Sequence, residues 1–236
     1  MDPVPPTPGT HVPPTPAEAW RQLREGNARF VADAMTHPSQ GADRRAEVAA
    51  EQHPSAVLLG CSDSRVAAEI IFDQGLGDLF VVRTAGHVLD ASVIGSVEYG
   101  VGILGAPLVV VLGHDRCGAV AAATDALLTG TMPTGFVRTV VDRVIPSLLT
   151  RPQLGDPGIA PGADGSRSRH LSLPDEHTLR RNHVRATVQM LRDYSGVVAE
   201  AVAAGRCAVV GVEYTLADGT AHLVDHLGDV GEQRDA

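Results

Sequence analysis

Leu108-Val-Val-Val-Leu-Gly-His-Asp-Arg-Cys-Gly-Ala-Val120 is the stretch on which the fold turns. An unbroken Val/Leu run ends at Gly113, passes a short polar turn, and leads at Gly118 into a helix-forming segment that continues to Leu128. Such a run is the pattern of a strand buried on both faces, and a helix directly after it is the βα step of a parallel sheet. Two similar runs precede it, Ala56 to Gly60 and Leu79 to Arg83. A fourth, Cys207 to Tyr214, follows helical patterning over Pro174 to Ala204 and passes through Ala217-Asp218-Gly219 into an alternating segment, Thr220 to His226. The expected fold is α/β: a central, mostly parallel β-sheet flanked by helices, with an N-terminal helical arm and a C-terminal β-hairpin at the sheet edge.

Outward from the strands, Asp90 to Leu104, Gly118 to Leu128 and Gly135 to Leu149 are predicted helices. Pro16-Ala17-Glu18-Ala19-Trp20 opens an amphipathic helix with Trp20, Leu23, Asn27 and Phe30 on one stripe; Trp20 is an anchor, packing either on its own core or on a partner subunit. Residues 1–15 read as a flexible Pro-rich arm, 16–230 as a single domain and 231–236 as a tail. Within the domain, 151–173 carries Gly and Pro at a density expected of a mobile loop insertion.

At 236 residues and 44% hydrophobic, the chain is long enough to bury a sizeable core. Its net charge of −9, without a basic patch, argues against nucleic acid and anionic membrane surfaces as partners. A small or neutral substrate fits better. All 19 basic residues are Arg, which excludes Schiff-base chemistry and a Walker-type lysine. Three cysteines do not make a disulfide framework, no export signal opens the chain and no apolar stretch is long enough to cross a bilayer, so the cytoplasm is the expected compartment.

The chemistry-bearing residues stand at strand ends. Cys61-Ser62-Asp63-Ser64-Arg65 follows the first apolar run, and His114-Asp115-Arg116-Cys117 follows the third. Two thiolates and an imidazole suit zinc, so Cys61, His114 and Cys117 are proposed as ligands of one Zn2+; three protein ligands leave a tetrahedral position open for water, as catalytic zinc requires. A structural zinc with Asp63 as fourth ligand and a cysteine nucleophile with His114 as base are the competing readings. Asp63 and Arg65, two residues apart, are placed for a carboxylate–guanidinium pair.

CSDSR at Cys61, an HxxCG segment 53 positions later at His114, and the surrounding GDLFVVR (Gly77 to Arg83) and SVEYG (Ser96 to Gly100) together resemble the β-class carbonic anhydrases over roughly residues 16–230. The resemblance implies reversible hydration of carbon dioxide to bicarbonate and a proton by zinc-bound hydroxide. It makes Asp63 and Arg65 catalytic, with Asp63 a fourth zinc ligand in a closed state when Arg65 lets go. It also implies Gln52, Phe80 and Tyr99 as substrate-binding residues, and a homodimer or homotetramer with pockets at subunit interfaces; Gly118 joins the substrate-binding set because its backbone N–H, at a helix start after Cys117, can support developing oxygen charge. Hydrolysis of a related small molecule such as carbonyl sulfide, and a non-catalytic zinc or redox-sensing role, remain alternatives. Thr84-Ala85-Gly86-His87 departs from the Asn-containing segment common in the family, and Leu58 stands where bicarbonate-regulated members carry tryptophan, which argues against that allosteric site.

Other features are given structural readings. Gly100 to Gly105 spells GxGxxG but ends a helical pattern, so it is read as helix packing and termination. His222 and His226 lie on an alternating strand and are read as exposed-edge residues, and Cys207 as a buried apolar thiol. His87 is read as a hydrogen-bonded structural histidine, with proton relay as the alternative.

Overall fold

The computed structural model describes residues 12–149, 159–161, 167–169 and 173–232. The apolar runs form β1 (Ala56–Cys61), β2 (Leu79–Thr84) and β3 (Leu108–His114). Two three-residue strands, β4 (Ile159–Pro161) and β5 (Arg167–Arg169), pair antiparallel with each other, and β6 (Ala208–Tyr214) and β7 (Ala221–Leu227) follow. The main sheet has the order β2-β1-β3-β6-β7. Its first four strands are parallel, while β7 returns antiparallel to β6 with a register shift between Gly211 and Val212. The fold is α/β, with the parallel sheet and the hairpin edge where the sequence places them.

The α-helices are α1 (Pro16–Val31), α2 (Ala42–Glu47), α3 (Ala68–Ile71), α4 (Ala91–Glu98), α5 (Gly118–Thr129), α6 (Val137–Leu148), α7 (Glu176–Tyr194) and α8 (Gly196–Ala203). Strands β1, β3 and β6 are buried along their whole length, which is why they read as continuous apolar runs instead of alternating ones. Successive side chains still point to opposite faces. Leu58, Val110 and Val210 join Trp20, Leu23 and Phe72 on one face; Val57, Val109 and Val209 join Val97, Val188 and Val198 on the other. Close approach of α7 needs a bare backbone at Gly113, where a Cβ would lie 2.5 Å from Val184 Cγ2.

At the start of α1, the Thr15 side chain accepts from the Glu18 N–H at 3.2 Å and the Glu18 carboxylate accepts from the Thr15 N–H at 2.8 Å, a reciprocal cap just before Pro16. Trp20 packs on its own core at 1% exposure, and its Nε1 donates to Glu232 Oε1 at 2.9 Å. That contact ties the start of the segment read as a tail back to α1. Buried Asn27 donates to Ile71 O and Gly219 O and accepts from the Ala221 N–H, joining α1 to α3 and to the β6–β7 turn.

Some expectations change. The helical stretch before β6 is two helices, because Ser195 ends α7 and caps α8, its hydroxyl accepting from the Val198 N–H and donating to Glu98 Oε1. His226 is buried beside Val210, so only His222 of that pair is an exposed-edge residue. The GxGxxG stretch does end α4, in a π-helical turn at Tyr99–Ile103. The readings of 1–11 and 233–236, and most of 151–173, lie outside the described residues. Within 151–173, the β4–β5 pair is too short to leave a periodic signal in the sequence. Among the described residues no helix is long and apolar enough to cross a membrane.

Candidate metal centre

Parallel strands deliver their C-terminal ends to one edge of the sheet, and that edge carries the site. β1 ends on Cys61 and β3 on His114; Cys117 caps α5 three residues later. One ligand atom from each of Cys61, His114 and Cys117 falls within 4.8 Å of the other two, and all three residues are buried. His114 Nδ1 lies 2.7 Å from Asp115 O, which fixes the proton on Nδ1 and leaves Nε2 as a lone pair. Buried Nε2 has no hydrogen-bond partner among the described residues.

A tetrahedral zinc with Zn–S near 2.3 Å and Zn–N near 2.0 Å needs donor atoms about 3.5–3.8 Å apart, so the trio, with its donors within 4.8 Å of one another, would draw in by about 1 Å at most to hold the ion. All three cysteines are free, and the soft donor set is the one zinc prefers. The contact with Cys117 outweighs burial and, with His114 and the N–H groups of Gly86 and Asp63, lowers the Cys61 thiol. The same contact, together with burial, pushes Cys117 up. Burial opposes protonation of His114, but the Cys61 thiolate draws a proton onto it and raises it overall.

Asp63 faces Arg65. Its Oδ1 accepts from Arg65 N and Nε, both at 2.9 Å, and Oδ2 accepts from the guanidinium at 2.7 Å. The Arg65 hydrogen bonds hold the Asp63 carboxyl well below the usual carboxylate range. With both oxygens engaged, Asp63 stands outside the three-donor cluster in this conformation.

Gln52, Phe80 and Tyr99 are not brought to this trio within one chain. Gln52 precedes β1, and Cys61 ends it, so the length of the strand, about 16 Å, lies between Ala56 and the ligand. Phe80 pairs with Val57, four positions before Cys61, and its ring stacks at 5.9 Å on Tyr99, which is 46% exposed. Gly118 is at the site: it is exposed at the first position of α5, and a Cβ there would meet nothing within 4 Å.

Three further residues serve the site without having been singled out by the sequence. Arg83 donates to Cys61 O at 2.9 Å and to Asp63 O at 2.6 Å, bracing the ligand loop. Gly86 donates its N–H to Cys61 Sγ at 3.3 Å. Buried His183 donates to Gly86 O at 2.8 Å. Arg83 and Gly86 lie inside motif segments; His183 gives no signal beyond its place on the buried stripe of α7 between Leu179 and Thr187.

The reading of His87 as hydrogen-bonded is overturned. The residue is 2% exposed, neither ring nitrogen has a partner among the described residues, and its ring packs 4.3 Å from that of His183. Burial drives its pKa far down, and His183 and His114 add to the effect, so the ring is neutral packing.

Comparison with known proteins agrees with this geometry. The carbonic anhydrase family model matches residues 56–221. Carbonic anhydrase 2 of Mycobacterium tuberculosis is 55% identical over 92% of this chain and 97% of its own length. Among solved structures, a Coccomyxa β-carbonic anhydrase superposes with a TM-score of 0.61 at 22% identity, covering 88% of this chain and 85% of its own. A tetrameric β-carbonic anhydrase of Sordaria macrospora also reaches 0.61 at 22% identity, over 75% and 84%. A family model spanning most of the chain, a close relative matched nearly end to end and a shared fold lead to one conclusion: the chain belongs to the β-class carbonic anhydrases, an enzyme family.

Proposed function

We propose that this chain catalyses the reversible hydration of carbon dioxide to bicarbonate and a proton, with one zinc ion per subunit held by Cys61, His114 and Cys117. The observation that carries the reading is the three-donor cluster with Asp63 turned away onto Arg65. When bound, zinc supplies Lewis acidity that makes a water nucleophilic, tempered by the charge of two thiolates. Asp63, kept ionised by Arg65, is a hydrogen-bond acceptor that orients the attacking water toward the carbon. Arg65 holds that carboxylate off the donor cluster, and its release would let Asp63 become a fourth ligand. The Gly118 N–H, exposed at the first turn of α5, supports developing oxygen charge.

Gln52, Phe80 and Tyr99 contribute to substrate binding only if a second copy of the chain carries them to the site, since within one chain they stand a strand length away. This, and the exposed side chains of Tyr99, Ile103 and Val197 on the same flank, support a homodimer or homotetramer. We place the activity in a single domain spanning 16–230. Three free thiols, two of them ligands, favour a reducing compartment such as the cytoplasm. Stopped-flow hydration of carbon dioxide beside a zinc count on the purified protein tests the proposal: one zinc per chain with hydration is expected. A zinc-loaded protein without hydration would leave a non-catalytic zinc role, and turnover of carbonyl sulfide in its place would reassign the substrate.

A further inference from the structure

We propose that His183 is a positioning residue for the metal centre, acting through the Gly86 peptide on the Cys61 sulfur. The inference rests on the reading of Cys61, His114 and Cys117 as a zinc site.

A carbonyl oxygen only accepts, so the 2.8 Å contact between His183 Nε2 and Gly86 O places the ring proton on Nε2. The other nitrogen, Nδ1, lies 2.7 Å from Ser147 Oγ on α6. That hydroxyl is also 2.6 Å from Val144 O, so its proton is divided between two acceptors, and its share toward Nδ1 keeps the ring in the donating tautomer. α6 and α7 thus clamp the Gly86 carbonyl from outside the ligand loop.

Gly86 transmits the clamp. Its backbone is left-handed at φ 65°, and its N–H donates to Cys61 Sγ at 3.3 Å; the Asp63 N–H is the other backbone donor, at 3.4 Å. The carbonyl and the N–H of one residue are separated only by its own two torsions, held here in the left-handed region, so anchoring the carbonyl restricts the direction of the N–H. N–H donors stabilise an anionic thiolate and hold it in register for a metal. The Asp63 donor belongs to the ligand loop itself. The Gly86 donor depends on a side chain 97 residues away.

His87 completes the support without hydrogen bonding. It also has a positive φ, 43°, and its ring packs 4.3 Å from His183. His183 shares the buried stripe of α7 with the apolar Leu179, Val184, Val188 and Leu191 and the polar Asn182 and Thr187, and leucine at 183 would serve packing alone. A buried imidazole there is worth its desolvation only if its hydrogen bonds are used.

The test compares the parent with His183→Leu, His183→Gln and Ser147→Ala. Zinc affinity is measured by competition with a chromophoric chelator, and the thiolate-to-metal absorption band is recorded on the cobalt-substituted proteins. His183→Leu is expected to weaken zinc binding about 10- to 100-fold, the usual range for a lost outer hydrogen bond, and to shift the cobalt band. His183→Gln, whose amide can donate to Gly86 O, should recover most of that loss, and Ser147→Ala should lose a few-fold. Parent-like affinity and an unmoved band in His183→Leu, with only a lower melting temperature, overturn the inference. If that variant does not fold, parent-like values in Ser147→Ala overturn it instead. A parent that takes up no zinc overturns the metal-site reading, and this inference with it.

Discussion

Two glycines border the metal centre, and they should respond to the same substitution with opposite signs. Gly86 has φ 65°, and a Cβ there would lie 2.6 Å from Ala119 Cβ in the first turn of α5. An alanine in left-handed backbone costs about 1–2 kcal/mol, and forcing a methyl group into packed surroundings adds about 1–3 kcal/mol. Gly86→Ala should therefore lose roughly 2–5 kcal/mol of stability. It should also lose zinc affinity, because any relaxation away from Ala119 moves the N–H that faces Cys61. Gly118 has no such constraint: it sits at the first position of a helix and a Cβ there meets open space. Alanine there restricts the unfolded chain and should stabilise by about 0.4–1 kcal/mol. Its N–H remains, so hydration should persist. Urea unfolding of the two variants beside the parent, followed by zinc competition, measures both effects. Equal losses at 86 and 118, or a Gly86→Ala midpoint matching the parent, would refute the reasoning.

Arg65→Ala frees Asp63 and should cut carbon dioxide hydration at pH 7 at least tenfold in stopped flow, with Arg65→Lys recovering only part, since an ammonium cannot bridge both oxygens; full activity in the alanine variant would remove Arg65 from the mechanism. Asp73, 1% exposed, accepts from Thr36, His37 and Arg29; burial alone would raise its carboxyl, but these bonds outweigh it and hold it well below the usual range. Its contribution is therefore complete above the unfolded pKa of about 4 and is lost as pH falls through the folded value. Asp73→Asn should cost roughly 2–3 kcal/mol at pH 7, with the gap to the parent narrowing below pH 4 in denaturant titrations; a gap constant down to pH 3 would contradict this. Burial pushes the Cys207 thiol up to about 12, so peptide mapping after iodoacetamide at pH 8 should find it unmodified in the native protein and modified in denaturant.

What was legible in the sequence shares one physical origin. A strand buried on both faces has no alternative to an apolar run, so β1, β3 and β6 announce themselves, and residues that end such strands stand at a common edge whatever the loops do. Cys61 and His114 inherit their proximity from that rule: Gly60 pairs with Leu112, which leaves each ligand just beyond a shared register. Cys117 follows because it caps the next helix. Asp63 and Arg65 are local, separated by one residue, and need no tertiary information. The opposite holds for what the sequence left unread. His183 reaches Gly86 from α7, whose distance from the sheet is set by side chains that meet only in three dimensions, Val184 against Gly113 among them. His87 is surrounded by groups from β3 and α7, so no local pattern separates a stacked, dry imidazole from a hydrogen-bonded one. Gln52, Phe80 and Tyr99 carry the point furthest. The family resemblance implies them as substrate-binding residues while β1 holds them a strand length from their own chain's trio, so their proposed role requires each site to be shared between two copies. A heterodimer of a metal-ligand-deficient chain (Cys61→Ser) with a chain lacking Gln52 and Tyr99 side chains (Gln52→Ala, Tyr99→Ala) would test that sharing. The intact trio would then face only a ligand-deficient partner that still carries Gln52 and Tyr99, and hydration per zinc should match the parent's; a rate matching the Gln52→Ala, Tyr99→Ala homodimer would place those residues outside the reaction of a neighbouring subunit.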